Sequence, residues 1–379
     1  MNIYEYFDKD EIAIFEKLSK IAGNNKLFLV GGAVRDFLLN RKCPDIDITF
    51  EGNAIEFAKS LSVHGVKIKS VHEDFGTIKV SIGDKNFDIA STRTEYYPKE
   101  GHLPVIKNIA CPLKEDVLRR DFTVNSLALS LNTSSFGEIV DYCGGLLDLK
   151  QKVLRVLHDK SFIEDPTRIL RGLKYSTRLG LSLDKHTLKL QEEYLKNVNY
   201  DMGYKRVLQE FRKIDWNAEI FKMFLEQKIY KLFQPEVLKN FDFSFNSNSY
   251  VVFLALLNLD DVEKYELTSE EKKIINRVKE LKNKTFVSKF EIYKIFSKEK
   301  KETTKALAIL KNEGARIYEK ELSSIKVEMT GNDFIELGIN PSPKFSEIFD
   351  FLIEEKIKNP ALNKAGEIEL VKENFLFLS

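Results

Sequence analysis

Cysteine and histidine are scarce in this sequence. Its 379 residues include three cysteines, Cys43, Cys111 and Cys143, and five histidines. The cysteines are odd in number, far apart and without C-x-x-C spacing, which argues against a disulfide framework and against a zinc site. We therefore expect reduced thiols, and the scattered histidines indicate no His-rich metal site.

Long apolar runs are missing as well. The longest nearly unbroken run, residues 250–259, is well short of the roughly 20 residues that cross a bilayer. The N-terminal segment MNIYEYFDKDEIAIF lacks the basic and then apolar layout of a signal peptide. These two absences predict a soluble, cytoplasmic protein with no membrane partner.

Neither sign of charge dominates. Lys and Arg number 59 against 58 Asp and Glu, so the net charge is close to zero. A polyanionic partner would therefore have to be held by a local basic patch and not by the whole surface. Composition alone neither proposes nor excludes RNA. With 43% hydrophobic and 31% charged residues, the chain is expected to form two or more globular domains.

Two hydrophobic patterns divide the chain near residue 150. Before it, short β-type runs predict a small mixed sheet; they are KLFLV, DIDITF, VKIKSV, TIKVSI, NFDIAS and FGEIVD. Residues 92–116 contain Gly, Pro and charged residues but show little periodicity. Residues 151–379 show helical periodicity with almost no alternating runs. The expected fold class is α+β, with a sheet-containing head on a helical body.

The segment LFLVGGAVRD, residues 27–36, predicts a strand, a glycine turn and a helix in succession. Gly31 and Gly32 let the backbone approach a ligand closely, and the following helix N-terminus offers N–H groups and a positive dipole end to an anion. Arg35, one turn into the helix, adds a forked cation. Such turns are common, and Arg35 could instead pair with Asp36 or another carboxylate.

Two aspartates one residue apart follow this turn. In a strand, Asp45 and Asp47 would point to the same face while Ile46 and Ile48 point into the core. Two carboxylates on one edge are the minimum frame for Mg²⁺, and Asp88 could bring a third from a neighbouring strand. Surface aspartates in a turn are the alternative, but they fit poorly just downstream of a phosphate-type turn.

Four segments carry a resemblance in the same order: GGAVRD at 31–36, DID at 45–47, RRDFTVNSLAL at 119–129 and EDPTRILR at 164–171. Together they resemble the class II tRNA nucleotidyltransferase and bacterial poly(A) polymerase family of the polymerase-β-like nucleotidyltransferase superfamily. Residues 137–157 and TGNDFIELGINPSPK near the C-terminus are similar to it too, whereas about 215–325 hardly match. The resemblance implies a nucleotidyltransferase head at 1–150, a nucleotide-selecting helical neck at 151–215, a helical body at 216–325 and a tRNA-binding helical tail at 326–379.

The resemblance implies roles for the residues of the head. Asp45 and Asp47 would hold the catalytic Mg²⁺ ions, and the glycine turn with Arg35 would meet the incoming triphosphate.

The second head motif, RRDFTVN, adds three residues. Arg120 would be a further nucleotide contact. Asp121 and Asn125, four apart and hence expected on one helical face, would help to position the ribose. A salt-bridged helix start is the alternative for this segment.

The neck motif would act as a protein template for the base. Asp165, Arg168 and Arg171 lie roughly along one side of a helix that Pro166 would begin. One carboxylate and one guanidinium can together hydrogen-bond a base edge. The alternative for Asp165 is a role as the helix N-cap alone.

The chain departs from the family pattern at two neck positions. Lys174 stands where the family often has a further arginine, and a lysine can meet a phosphate but not present a flat fork. Lys205 stands where glutamate is usual in an ERxxxE-like motif, which leaves Arg206 and Glu210 as the match. That motif is thought to brace the neck.

The implied reaction needs no nucleophilic side chain. Mg²⁺ ions would lower the pKa of an RNA 3′-hydroxyl and neutralise charge at the α-phosphorus, and pyrophosphate would leave in line. The implied substrates are CTP, ATP and the tRNA 3′ end, as in CCA addition. Segment 92–116 resembles the family's flexible loop before the RRD motif, and its presence fits an enzyme that handles ATP, because CC-only members are known for a shortened loop.

Two alternatives remain beside CCA addition. One is the addition of A alone to tRNA or of poly(A) tails. The other is a non-catalytic RNA-binding relative, against which the intact Asp45 and Asp47 count. The sequence gives no oligomeric state.

Overall fold

The computed structural model describes residues 2–43, 46–235, 241–259 and 261–376. The predicted metal ligand Asp45 therefore lies outside the described residues. The chain divides into two compact units, Met1–Ile214 with Glu226–Leu232 and Asp215–Leu225 with Phe233–Ser379. Across the described ranges, no helix is both long enough and apolar enough to cross a membrane.

A mixed sheet of seven strands lies at the centre of the first unit. In chain order, the strands of this unit are β1 Leu27–Val30, β2 Asp47–Phe50, β3 Lys67–His72, β4 Thr77–Ile82, β5 Lys85–Ser91, β6 Arg93–Tyr96, β7 Val105–Ile109, β8 Ala128–Ser130, β9 Ile139–Val140, β10 Val153–Leu154 and β11 Ser182–Leu183. The order in the sheet is β3-β4-β5-β2-β1-β8-β9, in which β2 and β5 are parallel and the other neighbours antiparallel. All four apolar residues of β1 are buried, as a strand flanked on both edges requires.

The parallel pairing places Asp47 level with Asp88. Residues in register project to the same face of a sheet, so the two carboxylates lie on one face. On the other side of β5, Lys79 is in register with Asp88, and its Nζ lies 3.5 Å from Asp88 Oδ1. Asp88 thus comes from the neighbouring strand, as the sequence predicts.

Ten helices accompany the strands in the described part of the first unit. They are α1 Ile3–Tyr6, α2 Lys9–Ala22, α3 Gly32–Leu38, α4 Ala54–Val63, α5 Leu113–Leu118, α6 Gly145–Gln151, α7 Ser161–Glu164, α8 Thr167–Leu179, α9 Lys185–Lys196 and α10 Tyr204–Arg212. Helix α2 begins with a capping box formed by Asp8 and Glu11 and buries Phe15 and Leu18 completely. Helix α3 begins directly after the glycine turn, as predicted.

Segment 92–116 is more regular than the sequence predicts. Strands β6 and β7 pair as an antiparallel hairpin outside the main sheet, and α5 follows. Several apolar residues of this segment are exposed, among them Tyr96, Val105 and Ile109. A hairpin without a buried face leaves no alternating hydrophobic pattern to detect. The low periodicity of this segment in the sequence is therefore compatible with regular structure.

The second unit is helical in its described residues. Its helices are α11 Ala218–Glu226, α12 Tyr250–Ala255, α13 Ser269–Leu281, α14 Lys289–Phe296, α15 Lys301–Ile309, α16 Glu313–Ile317, α17 Gly331–Glu336, α18 Lys344–Lys358 and α19 Lys364–Val371. Trp216 is buried against the rings of Phe221, Phe224 and Phe253. A separate core near the C-terminus consists of Met329, Phe334, Ile339, Ile348, Leu352 and Val371.

The α+β class with a mixed sheet in the N-terminal region is confirmed. The junction of the two units at 214 and 215 lies beside the predicted boundary between neck and body. The finer division into head, neck, body and tail stays a prediction.

Candidate active site

The first unit contains a cavity of about 730 Å³. The glycine turn, the RRD segment and the EDPTRILR segment all contribute to its lining. Its lining includes eleven of the thirteen predicted site residues: Gly31, Gly32, Arg35, Asp47, Arg120, Asp121, Asn125, Asp165, Arg168, Arg171 and Lys174. Asp45 lies outside the described residues, and Asp88 is not part of the lining. In the described chain, ten Arg or Lys and six Asp or Glu side chains line the cavity, which gives it an excess of positive charge. Such a cavity favours a polyanionic ligand.

The glycine turn forms one edge of the cavity. Gly31 has a φ of 65°, a conformation that costs little only for glycine. A Cβ atom at Gly31 would lie 3.1 Å from an Nη atom of Arg120, so a side chain at this position would also press on that guanidinium. The turn therefore requires glycine for two reasons, its backbone conformation and the close approach of Arg120.

Arg35 is buried and already has partners. Its Nε donates to Asp36 Oδ1 at 2.8 Å, and an Nη atom donates to Asn125 Oδ1 at 2.6 Å. Its guanidinium also lies 5.0 Å from the ring centroid of Tyr175. Arg35 thus ties the first turn of α3 to the RRD segment and to α8. The ion pair with Asp36 that the sequence left open is present, and contact with a triphosphate stays a prediction.

The carboxylates at the strand ends are the candidate metal ligands. Asp47 is exposed at the start of β2 and lines the cavity, while the Asp88 side chain is 44% exposed and paired with Lys79. Within the described residues, which leave out Asp45, no cluster of three His, Cys, Asp or Glu side chains could hold a metal ion. The donor set that remains, carboxylate oxygens on one face of a sheet, fits a hard cation such as Mg²⁺.

The RRD segment does not form the expected α-helical face. Phe122 is extended, Thr123–Asn125 form a short 3₁₀ helix, and β8 follows at once. Asp121 and Asn125 still meet, because Asn125 Nδ2 donates to Asp121 Oδ1 at 2.9 Å. The helical prediction was wrong because the pairing of β8 with β1 and the burial of its residues outweigh the local i, i+4 spacing.

The buried carboxylate of Asp121 forms an ion pair with Arg171, whose side chain is partly exposed. The Nε and an Nη atom of Arg171 lie 2.7 and 2.6 Å from Asp121 Oδ2. Burial alone would raise the pKa of Asp121, but the charge of Arg171 and the hydrogen bond from Asn125 outweigh it and hold that pKa below its ordinary value. The carboxylate is therefore ionised at neutral pH and fixes the guanidinium at the cavity wall.

Helix α8 presents a row of side chains to the cavity. Arg168, Arg171, Lys174 and Arg178 succeed one another at spacings of three and four, and all of them line it. Tyr175 lies beside them, with Arg171 5.6 Å and Lys174 5.0 Å from its ring centroid. The predicted arrangement of Arg168 and Arg171 on one side of this helix is present.

Asp165 precedes α8 and has two sets of contacts. Its Oδ1 accepts hydrogen bonds from the backbone N–H of Thr167 at 3.1 Å and from the Thr167 hydroxyl at 2.6 Å. Its Oδ2 accepts a hydrogen bond from an Nη atom of Arg206 at 2.5 Å. Pro166 occupies the N-cap position, so the helix begins at Thr167, one residue later than predicted, and Asp165 makes its capping contact from the residue before the N-cap. Its second oxygen is held by Arg206.

The guanidinium of Arg168 is held by uncharged acceptors. Its Nη atoms donate to Ser161 Oγ at 2.8 Å, to the Arg119 carbonyl at 3.0 Å and to Tyr97 Oη at 3.3 Å. Tyr97 thus lines the cavity and contacts the predicted base-reading arginine.

Glu210 organises the cations on α10 and the neighbouring part of α8. It lies 3.4 Å from Lys174 Nζ, 2.7 Å from Lys213 Nζ and 3.9 Å from Arg171. Burial lowers the pKa of Lys174, and Glu210 opposes that shift. The Arg206 and Glu210 match to the ERxxxE-like motif therefore lies at the cavity and contacts Asp165 and Lys174.

Sequence reasoning missed several residues of the cavity. They are Arg93, Glu95, Arg119, Tyr175, Arg178 and Gln209. Tyr175 and Arg178 continue the spacing of Arg168 and Arg171 along one helix, so the periodicity could have found them. Glu95 and Arg93 lie in the hairpin, where the sequence carries no comparable signal.

Comparison with known proteins places these motifs in a family. Residues 27–155 match the poly A polymerase head domain. An A-adding tRNA nucleotidyltransferase of Aquifex aeolicus is 47% identical over 169 residues, which are 44% of this chain and 20% of that protein. An A-adding tRNA nucleotidyltransferase of Halalkalibacterium halodurans is 28% identical over 402 aligned residues, which cover 97% of this chain and 93% of that protein.

Solved structures agree over the whole chain. The Thermotoga maritima CCA-adding enzyme complexed with tRNA is 25% identical, with a TM-score of 0.73 and coverage of 97% of this chain and 96% of that chain. The chain matches only about a fifth of the length of the Aquifex relative. The head-domain match, the named relatives and the shared fold all agree with the motifs that meet in the cavity, and they confirm the resemblance of this chain to the tRNA nucleotidyltransferase and poly(A) polymerase family.

Proposed function

We propose that this protein transfers nucleotides from CTP and ATP to the 3′ end of tRNA and so adds or repairs the CCA end. The observation that carries the proposal is the convergence of a glycine turn, a strand-end carboxylate and the arginine row of α8 on one positively charged cavity. The likeness to a CCA-adding enzyme that was solved with tRNA supports the choice of substrate. A tRNA substrate would place the protein in the cytoplasm.

In this proposal, the glycine turn and Arg120 bind the triphosphate. Backbone N–H groups at the start of α3 and the positive end of its dipole favour phosphate oxygens at this edge of the cavity. Arg120 lies directly over the turn. Arg35, with its donors engaged by Asp36 and Asn125, orients the turn.

Nucleotidyltransferases generally use divalent metal ions, and we propose Mg²⁺ held by Asp47 and Asp45, with Asp88 on the same face of the sheet. When bound, Mg²⁺ would favour ionisation of the RNA 3′-hydroxyl and neutralise charge that develops on the α-phosphate. Asp47 faces the cavity from the start of β2, so it can bring this charge to the triphosphate.

The base edge is assigned to Asp165 and Arg168. Asp165 precedes α8, Arg168 lies in its first turn, and both side chains line the cavity. A carboxylate offers acceptors and a guanidinium offers donors, so the pair can match the amino group and ring nitrogen or carbonyl of either cytosine or adenine. Tyr97 and Ser161 fix the guanidinium plane of Arg168 for this purpose.

A second candidate function is the addition of A alone to tRNA that already ends in CC. It is favoured by the names of the relatives, because both the Aquifex and the Halalkalibacterium protein are A-adding tRNA nucleotidyltransferases. The cavity residues described above serve either activity.

The test separates the two candidates by substrate. A tRNA transcript that lacks CCA is incubated with CTP, with ATP and with both, in parallel with a transcript that ends in CC. CCA addition predicts incorporation of CTP into the first transcript and of ATP after it. A-only addition predicts that ATP alone extends only the CC-ending transcript.

The matched variant in this test is Asp47→Ala. It is expected to lose transfer with either transcript while the protein keeps its fold, because an exposed strand-end carboxylate contributes little to packing. Near-normal transfer by the variant would refute the metal assignment. A wild-type protein that binds tRNA but transfers no nucleotide would indicate the non-catalytic relative instead.

A further inference from the structure

We propose that Asp116, a residue outside the recognised motifs, is the positioning residue that holds Arg120 over the glycine turn and aims its remaining N–H groups at the triphosphate. This inference rests on the proposed function. Arg119 and Arg120 line the cavity, whereas Asp116 lies behind them with 0% of its surface exposed. It can therefore act on a ligand only through its neighbours.

Asp116 is surrounded by N–H donors. Its Oδ1 accepts hydrogen bonds from Arg119 Nε and an Arg119 Nη atom at 3.0 and 2.8 Å, and from the backbone N–H of Arg93 at 3.1 Å. Its Oδ2 accepts one from an Nη atom of Arg120 at 3.2 Å. Because the two arginines follow Asp116 by three and four residues at the end of α5, one carboxylate holds both.

The contact to Asp116 leaves the other donors of Arg120 to the cavity. Arg120 Nε is buried and has no hydrogen-bond partner in the described part of the chain. The second Nη atom lies 3.1 Å from the point where a Cβ of Gly31 would stand. A buried donor without an acceptor is costly, so its presence beside an anion-binding turn indicates a ligand oxygen as its partner.

The carboxylate at position 116 is well suited to this role. Burial alone would raise its pKa, but the charges of Arg120 and Arg119 outweigh burial and hold that pKa below its ordinary value. Asp116 is therefore ionised whenever Arg120 is in place. Without it, Arg120 would keep its charge but lose the contact that orients its planar fork.

The experiment compares Asp116→Asn with Asp148→Asn in the full-length protein. Asp148 is also buried, at 4% exposure, and accepts hydrogen bonds from Thr123 Oγ1 at 2.7 Å and Arg155 Nε at 3.1 Å, but it does not line the cavity of the described chain. It controls for the loss of a buried ionised aspartate. Binding of ATP, CTP and inorganic tripolyphosphate is measured by calorimetry, and thermal unfolding is recorded for both variants.

Asp116→Asn is expected to weaken ATP, CTP and tripolyphosphate binding alike by about tenfold, the loss that follows when one charge-assisted hydrogen bond to phosphate is misplaced. The ratio of ATP to CTP affinity should stay as in the wild type. Asp148→Asn should lower thermal stability but leave all three affinities near wild type.

A double variant shows whether Asp116 acts through Arg120. Adding Asp116→Asn to Arg120→Ala should weaken ATP binding no further, whereas additive losses would overturn the inference. If Asp116→Asn does not fold, Asp116→Glu keeps the charge but displaces the carboxylate, and undiminished ATP binding in that variant would overturn it too. A wild-type protein that binds neither ATP nor tripolyphosphate would instead count against the proposed function.

Discussion

The two carboxylate oxygens of Asp165 have different partners, and base recognition by this residue is a proposal. Its Oδ1 satisfies the first turn of α8, and its Oδ2 meets Arg206. The two oxygens can be separated by substitution, because asparagine keeps an oxygen for the helix but loses the charge. A comparison of asparagine and alanine at this position therefore tells capping from base recognition.

We expect both Asp165→Asn and Asp165→Ala to relax discrimination among nucleotides in primer-extension assays with each of the four triphosphates. Asp165→Ala should in addition lose about 1 kcal/mol of stability with the cap, measured by chemical denaturation. The asparagine variant should lose less. If Asp165→Asn selected nucleotides like the wild type, the carboxylate would be a cap and not a base reader.

His158 lies between two charged groups at the start of the neck. Its Nε2 is 3.4 Å from Glu164 Oε2 and 3.5 Å from an Nη atom of Arg168. Burial lowers the pKa of His158, and the Arg168, Asp159, Lys160 and Glu164 charges act on it in both directions, with a net lowering. The folded state therefore favours the neutral imidazole, which can accept a hydrogen bond from Arg168.

This shift predicts a pH dependence of stability. Below about pH 6.5, the ordinary histidine pKa, the unfolded state binds more protons than the folded state, so the stability present above that pH is lost as the pH falls towards the lower folded pKa. His158→Gln should make the decline between about pH 7.5 and about pH 5.5 shallower in denaturation experiments. Superimposable pH profiles for variant and wild type would contradict the assignment.

The residues that sequence alone could place are those inside a contiguous motif. The glycine turn, the RRD segment and the first three members of the α8 row were identified because they lie within a few positions of one another. Contacts such as Arg178 with Asp36 at 3.1 Å, or Arg206 with Asp165, join residues 142 and 41 positions apart. Spacing carries no information on such pairs, because tertiary packing brings them together.

At the scale of elements, the strand β1, the glycine turn and α3 are consecutive and together position one edge of the cavity. The strand fixes the position of the turn, and the positive φ of Gly31 directs the first turn of α3 towards the cavity. Gly23 at the end of α2 has nearly the same φ, 63° against 65°, but an added Cβ there would meet nothing within 4 Å. The chain thus supplies its own control for backbone strain.

We expect Gly31→Ala and Gly23→Ala to carry a similar backbone cost, on the order of 1–3 kcal/mol, because both glycines combine a positive φ with a ψ near −120°, a conformation that other residues rarely adopt. Only Gly31→Ala should also displace Arg120 and reduce nucleotide transfer. Thermal unfolding and steady-state transfer of the two variants check this. Equal activity of both variants at equal stability would show that the turn does not need to be close to Arg120.

The elements that sequence failed to predict are those without a buried face or with a competing pattern. The β6–β7 hairpin has exposed apolar residues and no alternating burial along β7. The RRD segment has helical spacing but enters the sheet through β8, since its apolar residues Ala128 and Leu129 are fully buried there. Local periodicity predicts the secondary structure of a segment correctly only where tertiary packing favours the same structure.

At the scale of the whole molecule, charge is distributed unevenly. The net charge of the chain is close to zero, yet the cavity of the first unit has an excess of cationic side chains. The second unit forms many ion pairs within itself, among them Lys294 with Asp350 and Lys305 with Glu319. Because paired lysines attract phosphate weakly, we expect the proposed tRNA affinity to come from a limited set of positions.

The tail segment GINPSPK is the proposed source of part of that affinity. Gly338 has a φ of 85°, and Pro343 caps α18, whose first residue is Lys344. Lys344 Nζ lies 3.4 Å from the Phe375 carbonyl and 5.9 Å from the ring centroid of Phe375. These contacts hold the ammonium group at the end of the helix without neutralising it, so its charge is available to a phosphate.

We expect tRNA binding to weaken as salt rises, because each phosphate neutralised by the protein releases counterions. Lys344→Ala should weaken tRNA binding and reduce the slope of log affinity against log salt by about one, while ATP affinity stays unchanged. Lys358→Ala is the control, because Lys358 lies at the other end of α18 and is paired with Glu355 at 2.7 Å. Equal salt slopes for wild type and Lys344→Ala, measured by filter binding over a range of KCl concentrations, would mean that these turns only join packed helices. Deletion from Thr330 onward is less decisive, because it also removes Phe334, Ile348 and the other core residues that pack with Met329. Loss of tRNA binding could then follow from unfolding of this core.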